Sequence, residues 1–225
     1  MLAAGRSDST RAREALANLC QTYWRPLYAY IRRRGYSPHD AEDLTQAFFA
    51  RLLGRHDVAA VSPERGRFRS YLLGATNHFL ADEWDKARAR KRGGGKVISL
   101  DSAAAEAAYA QTPVDAVTPE TLYDRRWAIT VLEEAHQRLR REQEREGKVG
   151  QFDRLRFALA GERSALPYAE LARELDMTEG AVKVAVHRLR RRYRAVLREL
   201  VAETVATPDE VEDELRHLLR ALAGP

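Results

Sequence analysis

The sequence predicts an all-α chain of two helical domains joined by a long linker, the second containing a helix-turn-helix. Three observations carry this. Apolar residues recur at three- and four-residue steps over most of the chain, the mark of amphipathic helices. Alternating apolar and polar runs, which would indicate half-buried strands, are nearly absent. Between Val97 and Asp124 there is no Lys or Arg, in a protein with 38 of them in 225 residues, so the composition changes sharply there.

The first helix presents Leu16, Leu19, Cys20, Tyr23, Leu27, Tyr30 and Ile31 on one face and ends at Gly35. Ser37-Pro38-His39-Asp40 starts the next: Ser37 is the cap, Pro38 lies in the first turn and Asp40 occupies the capping-box position. Its inward stripe is Ala41, Leu44, Phe48 and Leu52. After a loop at Ser62-Pro63-Glu64-Arg65-Gly66, a third helix packs through Phe68, Leu72, Ala75, Phe79 and Leu80 and runs into the basic stretch Arg88–Arg92. Gly93-Gly94-Gly95 breaks the chain. The acidic segment after it, with Pro113 and Pro119, reads as a solvated linker. Trp127, Val131, Leu132, Ala135 and Leu139 begin the second domain, and Arg140–Lys148 is charged on all sides and therefore exposed. Thr207-Pro208-Asp209-Glu210 is a further capping box. It opens a short helix with Val211, Leu215, Leu218, Leu219 and Leu222 on one side and acids on the other. The expected division is an N-terminal arm (1–14), a first helical domain (15–95), an acidic linker (96–121), a second helical domain (122–203) and an acidic C-terminal extension (204–225).

The net charge of +5 and pI of about 9.5 favour a polyanionic partner. One cysteine, Cys20, excludes an internal disulfide and a Cys-based zinc site, and reads as a buried thiol in a reducing cytoplasm. No apolar run reaches the length of a membrane span, and the N-terminus lacks the apolar core of a signal peptide, so a cytoplasmic protein with no membrane partner is expected.

The sharpest local signal is Tyr168–Arg192. Two short helices crossing steeply need a small residue on the first, here Ala172. They need a turn residue that tolerates left-handed backbone, here Asp176, and a branched apolar residue in the angle, here Val182. Thr178 is placed to cap the second helix. Its inner face is Val182, Ala185, Val186, Leu189, Tyr193, Val196, Leu197 and Leu200; its outer face is Gly180, Lys183, Val184, His187, Arg188 and Arg191. Gly180 permits close approach to a groove. Lys183, His187 and Arg188 can donate to base edges or phosphates, and Val184 can touch a thymine methyl. From Glu179 to Arg198 seven Lys/Arg face one acid, a local charge of +6, so the basic excess sits where duplex DNA would lie.

In the first domain, Glu42, Asp43, Gln46 and Phe49 form a second face of the Ser37–Leu53 helix, acids beside an aromatic, which suits a protein partner. The third helix interleaves aromatics and amides with cations, including Arg67, Asn77, His78, Trp84 and Arg88, the chemistry of single-strand binding. His39, Asp40, Glu42, Asp43, His56 and Asp57 lack metal-ligand spacing, and there is no phosphate loop or nucleophile–base pair; no cofactor, metal or catalytic activity is expected.

Tyr23–Tyr30, Asp40–Phe49, Phe68–Leu72 with Asn77 and Asp82, and then Tyr168–Arg194, taken in order, resemble regions 2 and 4 of bacterial RNA polymerase sigma factors of the extracytoplasmic-function class, within the sigma-70 superfamily. The resemblance implies a subunit that binds core RNA polymerase and directs promoter recognition and melting. It implies that Asp40, Glu42, Asp43, Gln46 and Phe49 face the polymerase, with Asp43 and Gln46 on the coiled coil of its largest subunit. Arg67, Asn77, His78, Trp84 and Arg88 would hold the unpaired strand of the minus-ten element. Thr178, Gly180, Lys183, Val184, His187, Arg188 and Arg191 would read the duplex minus-thirty-five element, and the acidic linker would thread into the polymerase cleft. Ala47, Asp85 and Val184-Ala185 depart from the family's usual acid, base and Ser-Arg pair. The acidic C-terminal helix lies beyond the family's core; it would fold over the basic helix or bind an anti-sigma factor or other regulator. The other reading of the same residues is a helix-turn-helix transcriptional regulator that does not join RNA polymerase.

Overall fold

The computed structural model describes residues 22–54, 67–89, 102–110, 118–159 and 167–223. Cys20, the arm 1–14, the loop 62–66, the basic cluster from Arg90 to Lys96 and the side chain of Arg88 lie outside the described residues. Among those described, every regular element is helical and there is no strand: α1 (22–33), α2 (Pro38–Gly54), α3 (Phe68–Ala89), α4 (Ser102–Ala110), α5 (Pro119–Arg145), α6 (Val149–Leu155) with a 3-10 turn at Arg156–Ala158, α7 (Tyr168–Glu174), α8 (Glu179–Ala202) and α9 (Glu210–Ala223). None is long and apolar enough to cross a membrane.

The chain forms two compact units, Met1–Thr130 with Thr204–Pro225, and Val131–Glu203. The first unit buries Tyr23, Leu27, Tyr28, Tyr30 and Ile31 of α1, Phe48 and Leu52 of α2, Phe68, Leu72 and Phe79 of α3, and Leu122, Tyr123 and Trp127 of α5. Aromatic edges join these elements: Tyr23 meets Phe68 at 5.2 Å and Phe48 meets Phe79 at 5.7 Å between ring centres. Among the described residues, the stop expected at Gly35 and the starts expected at Ser37 and Thr207 are present. Gly35 has φ 95°, a left-handed stop that glycine adopts without strain. The Ser37 hydroxyl accepts from the Asp40 amide (3.1 Å), which caps α2, and donates to the Asp40 carboxylate (2.7 Å). Glu210 accepts from the Thr207 amide at 3.1 Å and the Ala206 amide at 2.9 Å, which fixes the entry to α9.

In the second unit Leu139 of α5, Phe152 and Leu155 of α6, Leu171 and Ala172 of α7, and Val182, Val186 and Leu189 of α8 form one core. Gly147 (φ 69°) turns the chain from α5 into α6, and Arg192 of α8 holds Glu142 of α5 through bonds of 2.8 and 2.7 Å. That guanidinium keeps the Glu142 carboxyl below the usual carboxylate range.

Three placements differ from the sequence expectation. The boundary between compact units falls inside α5, so Leu122, Tyr123 and Trp127 complete the first core rather than opening the second. Periodicity identifies a buried face and not the neighbour that buries it. The linker contains α4, where Glu106 accepts from Arg32 Nη2 at 2.9 Å and from Arg32 Nε at 3.0 Å, and also from the Tyr28 hydroxyl, while Tyr109 lies 4.9 Å from the Arg32 guanidinium. Arg32 holds the Glu106 carboxyl below its ordinary range. The C-terminal helix α9 belongs to the first unit, and its acids do not all lie on its outer face: Glu214 is buried between Val211 and Leu218, while Leu219 is 65% exposed.

Candidate nucleic-acid interface

In the second unit α7 and α8 are joined at Leu175-Asp176-Met177. Asp176 has φ 50°, the left-handed backbone that the tight connection requires, and the Met177 amide donates to the Ala172 carbonyl at 2.8 Å. Asp is among the few side-chain-bearing residues that visit this region readily. The Thr178 hydroxyl accepts from the Ala181 amide at 3.2 Å and caps α8. Ala172 and Val182 are buried in the angle.

The outer face of α8 carries Gly180, Lys183, Val184, His187, Arg188 and Arg191, all exposed, with the apolar Val184 49% exposed among cations. A Cβ at Gly180 would meet nothing within 4 Å, so no internal packing requires glycine there. The cations are not equivalent. Lys183 pairs with Glu179 at 2.8 Å and lies 5.9 Å from the Tyr168 ring, and Glu179 holds its ammonium above the ordinary lysine value. Arg190 donates to the Ala158 carbonyl at 2.8 Å. Arg192 is engaged by Glu142 and by Glu199 at 3.0 Å, which together hold its pKa above the ordinary arginine value. Among the described residues, Arg188, Arg191 and Arg194 are exposed and form no ion pair.

In the first unit α3 places Asn77, His78 and Trp84 along one stretch of helix. His78 is exposed and Trp84 is 54% exposed, a large indole area accessible to solvent. The Asn77 carbonyl accepts from the Tyr30 hydroxyl (2.7 Å) and from Arg34 Nη1 (2.6 Å), so α1 and the turn after it orient its amide. Arg67, just before α3, has Nε 3.2 Å from Glu214 and Nη2 3.8 Å from Asp213.

On α2, Asp40 and Asp43 are exposed and Glu42 half-buried, with Gln46 donating to Glu42 at 3.2 Å and His39 3.7 Å from Asp43. The expectation of an exposed Phe49 is corrected. Phe49 is 5% exposed, 6.0 Å from Trp24 and 5.4 Å from Phe48, and Gln46 is buried beside it. The inward stripe of α2 is wider than Ala41, Phe48 and Leu52 alone, because α1 offers Trp24 as a further apolar surface to cover.

Sequence reasoning missed a buried charge network in the first unit. Arg69 of α3 donates to Glu214 of α9 (2.9 Å) and to Asp124 of α5 (2.6 Å), and its guanidinium lies 5.1 Å from the Trp127 ring. Burial opposes its charge, but Glu214 and Asp124 more than offset that and hold its pKa above the ordinary value. His217 lies 3.0 Å from Asp124, and Trp127 Nε1 donates to the Tyr23 hydroxyl at 3.1 Å. The signal for Glu214 was available: it stands three residues after Val211 and four before Leu218, inside the apolar stripe.

Residues 19–90 match the Sigma-70 region 2 family, a span that takes in α2, α3 and the surfaces just described on them. The match supports a member of the sigma-70 family, whose proteins are transcription initiation factors and not enzymes. Region 2 is the part of a sigma factor that binds core RNA polymerase and acts in melting the minus-ten promoter element. No curated protein and no solved structure matches the chain.

Proposed function

We propose that the protein is a cytoplasmic sigma factor of the extracytoplasmic-function class. It joins core RNA polymerase, reads a duplex upstream element with a helix-turn-helix formed by α7 and α8, and stabilises the melted strand with α3. The observation that carries this reading is the region 2 match over 19–90, in a chain whose other unit exposes a basic helix.

The mechanism is binding. The outer face of α8 enters the major groove, with Arg188 and Lys183 donating to base edges or phosphates, Val184 against a thymine methyl, and Thr178, Gly180, His187 and Arg191 lining the approach. Exchanging Glu179 for a DNA acceptor costs Lys183 little, because an exposed pair one helical turn apart is weak. On α3, Trp84 offers a ring for stacking and Asn77, held by Tyr30 and Arg34, offers a pre-oriented amide to an unstacked base. His78, Arg67 and Arg88 complete the strand-binding set. Asp40, Glu42 and Asp43 face the polymerase; Gln46 and Phe49 act from beneath, shaping that face. An anti-sigma factor or other regulator would act on these same surfaces.

Run-off transcription with core RNA polymerase, this protein and a promoter library tests the reading. Promoter-directed transcripts are expected. Lys183→Ala and Arg188→Ala should each weaken binding to the upstream duplex about tenfold, as the loss of one good contact does, while polymerase association is unchanged. Absence of any promoter-directed transcript, with duplex binding retained, would leave a regulator that does not join RNA polymerase.

A further inference from the structure

The segment after α8 returns to the first unit and takes hold of the start of α3. The Thr204 carbonyl accepts from the Phe68 amide at 3.0 Å, one of the first-turn donors that a helix cannot satisfy internally. Ten residues on, Glu214 occupies the centre of the buried face of α9, its side chain 1% exposed. Its Oε1 lies 2.9 Å from Arg69 Nε; its Oε2 lies 3.4 Å from Arg69 Nη2 and 3.2 Å from Arg67 Nε. One carboxylate thus binds two guanidiniums on either side of Phe68, whose ring is packed on Tyr23.

A buried ion pair is a poor device for stability alone, since well-packed apolar residues of the same volume do as well. Its distinguishing property is direction: charged hydrogen bonds fix an angle and a register that apolar contacts leave loose. Arg69 already has Asp124 and the Trp127 face, so the Glu214 bonds add orientation to a charge that is otherwise compensated.

We propose that Glu214 is a positioning residue for the strand-binding helix: through Arg67, Arg69 and the Thr204 carbonyl, the C-terminal segment sets the first turn of α3 and thereby the placement of Arg67, Asn77, His78 and Trp84 toward an unpaired DNA strand. The C-terminal helix is then a working part of the melting unit. This rests on the sigma-factor reading for what α3 binds, and on the geometry for what Glu214 holds.

The test uses the full chain. Backbone amide exchange at Phe68–Leu72 is followed by NMR in the free protein, and promoter opening is followed by permanganate reactivity with core RNA polymerase. Glu214→Gln should raise exchange at Phe68–Leu72 at least tenfold and lower opening at least tenfold, with upstream duplex affinity within twofold. The double variant Arg69→Met with Glu214→Leu removes the buried pair together and leaves Asp124 with His217 and Arg67 with Asp213 as partners. It should recover the parent thermal midpoint yet still open promoters at least fivefold less well. Full recovery of opening in the double variant would show that Glu214 only stabilises, and would overturn the proposal; so would unchanged exchange in Glu214→Gln, or an increase in opening. If the parent protein opens no promoter, the sigma-factor reading fails and with it the stated role toward DNA, while the exchange result still decides whether Glu214 sets α3.

Discussion

Asp176 shows how much a single backbone angle can decide. Its φ of 50° lets the chain leave α7 and enter α8 with Ala172 and Val182 packed in the angle. Left-handed backbone costs an ordinary L-residue about 1–2 kcal/mol, less for Asp and nothing for Gly. Asp176→Gly should therefore leave stability within about 0.5 kcal/mol of the parent, conformational relief being offset by the greater freedom of glycine in the unfolded chain. Asp176→Val, branched at Cβ, should lose about 2 kcal/mol and weaken upstream duplex binding, because α8 loses its fixed approach to α7. Urea denaturation followed by circular dichroism, paired with duplex anisotropy, measures both. The position was legible in the sequence because a turn residue between Ala172 and Val182 has few conformations available. For Glu214 the stripe position was legible, but its partner was not: the buried Arg69 that accounts for a carboxylate there lies far off in sequence.

At the scale of elements, α5 carries two different environments along one helix. Its first turns bury Leu122, Tyr123 and Trp127; further on, His136 packs against Phe152 with ring centres 5.1 Å apart. Burial, with Arg156 and Arg140 nearby, pushes the His136 imidazole below its ordinary value of 6.5. A histidine with a depressed folded pKa binds fewer protons folded than unfolded as pH falls below 6.5. Its contribution to stability is present above that value and is lost as pH falls through the folded pKa. The thermal midpoint of the parent should therefore decline between neutrality and about pH 5 more steeply than that of His136→Gln, which lacks this titration. Equal slopes would show that His136 is neutral in neither state's favour. Helix positions and their caps, Ser37 with Asp40 and Glu210 with Thr207, were readable because capping is local chemistry. The pairing of faces was not: α4 docking Glu106 onto Arg32, and Phe49 turned under Trp24, depend on neighbours distant in sequence.

For the whole molecule, charge is the property that sequence and structure describe differently. The sequence places seven cations between Glu179 and Arg198, which suggests as many phosphate contacts. Each neutralised phosphate of duplex DNA contributes about −0.9 to the slope of log affinity against log salt, so seven would give about −6. The structure already engages Arg198, and it employs two more: Arg192 in a bidentate pair with Glu142 reinforced by Glu199, and Arg190 on the Ala158 carbonyl. Releasing either would cost folded-state bonds, so they contribute little to binding. Arg188, Arg191 and Arg194 stand exposed, and Lys183 has only the weak exposed pair with Glu179. The upstream duplex should then be bound with a slope of about −3 to −4, falling in magnitude by about 1 in Arg188→Ala and not at all in Arg192→Lys. Anisotropy titrations of the full chain over a range of salt concentrations give these slopes directly. A slope near −6 would mean that Arg190 and Arg192 abandon Ala158 and Glu142 on binding DNA, and that α8 changes its packing against α5 in the complex.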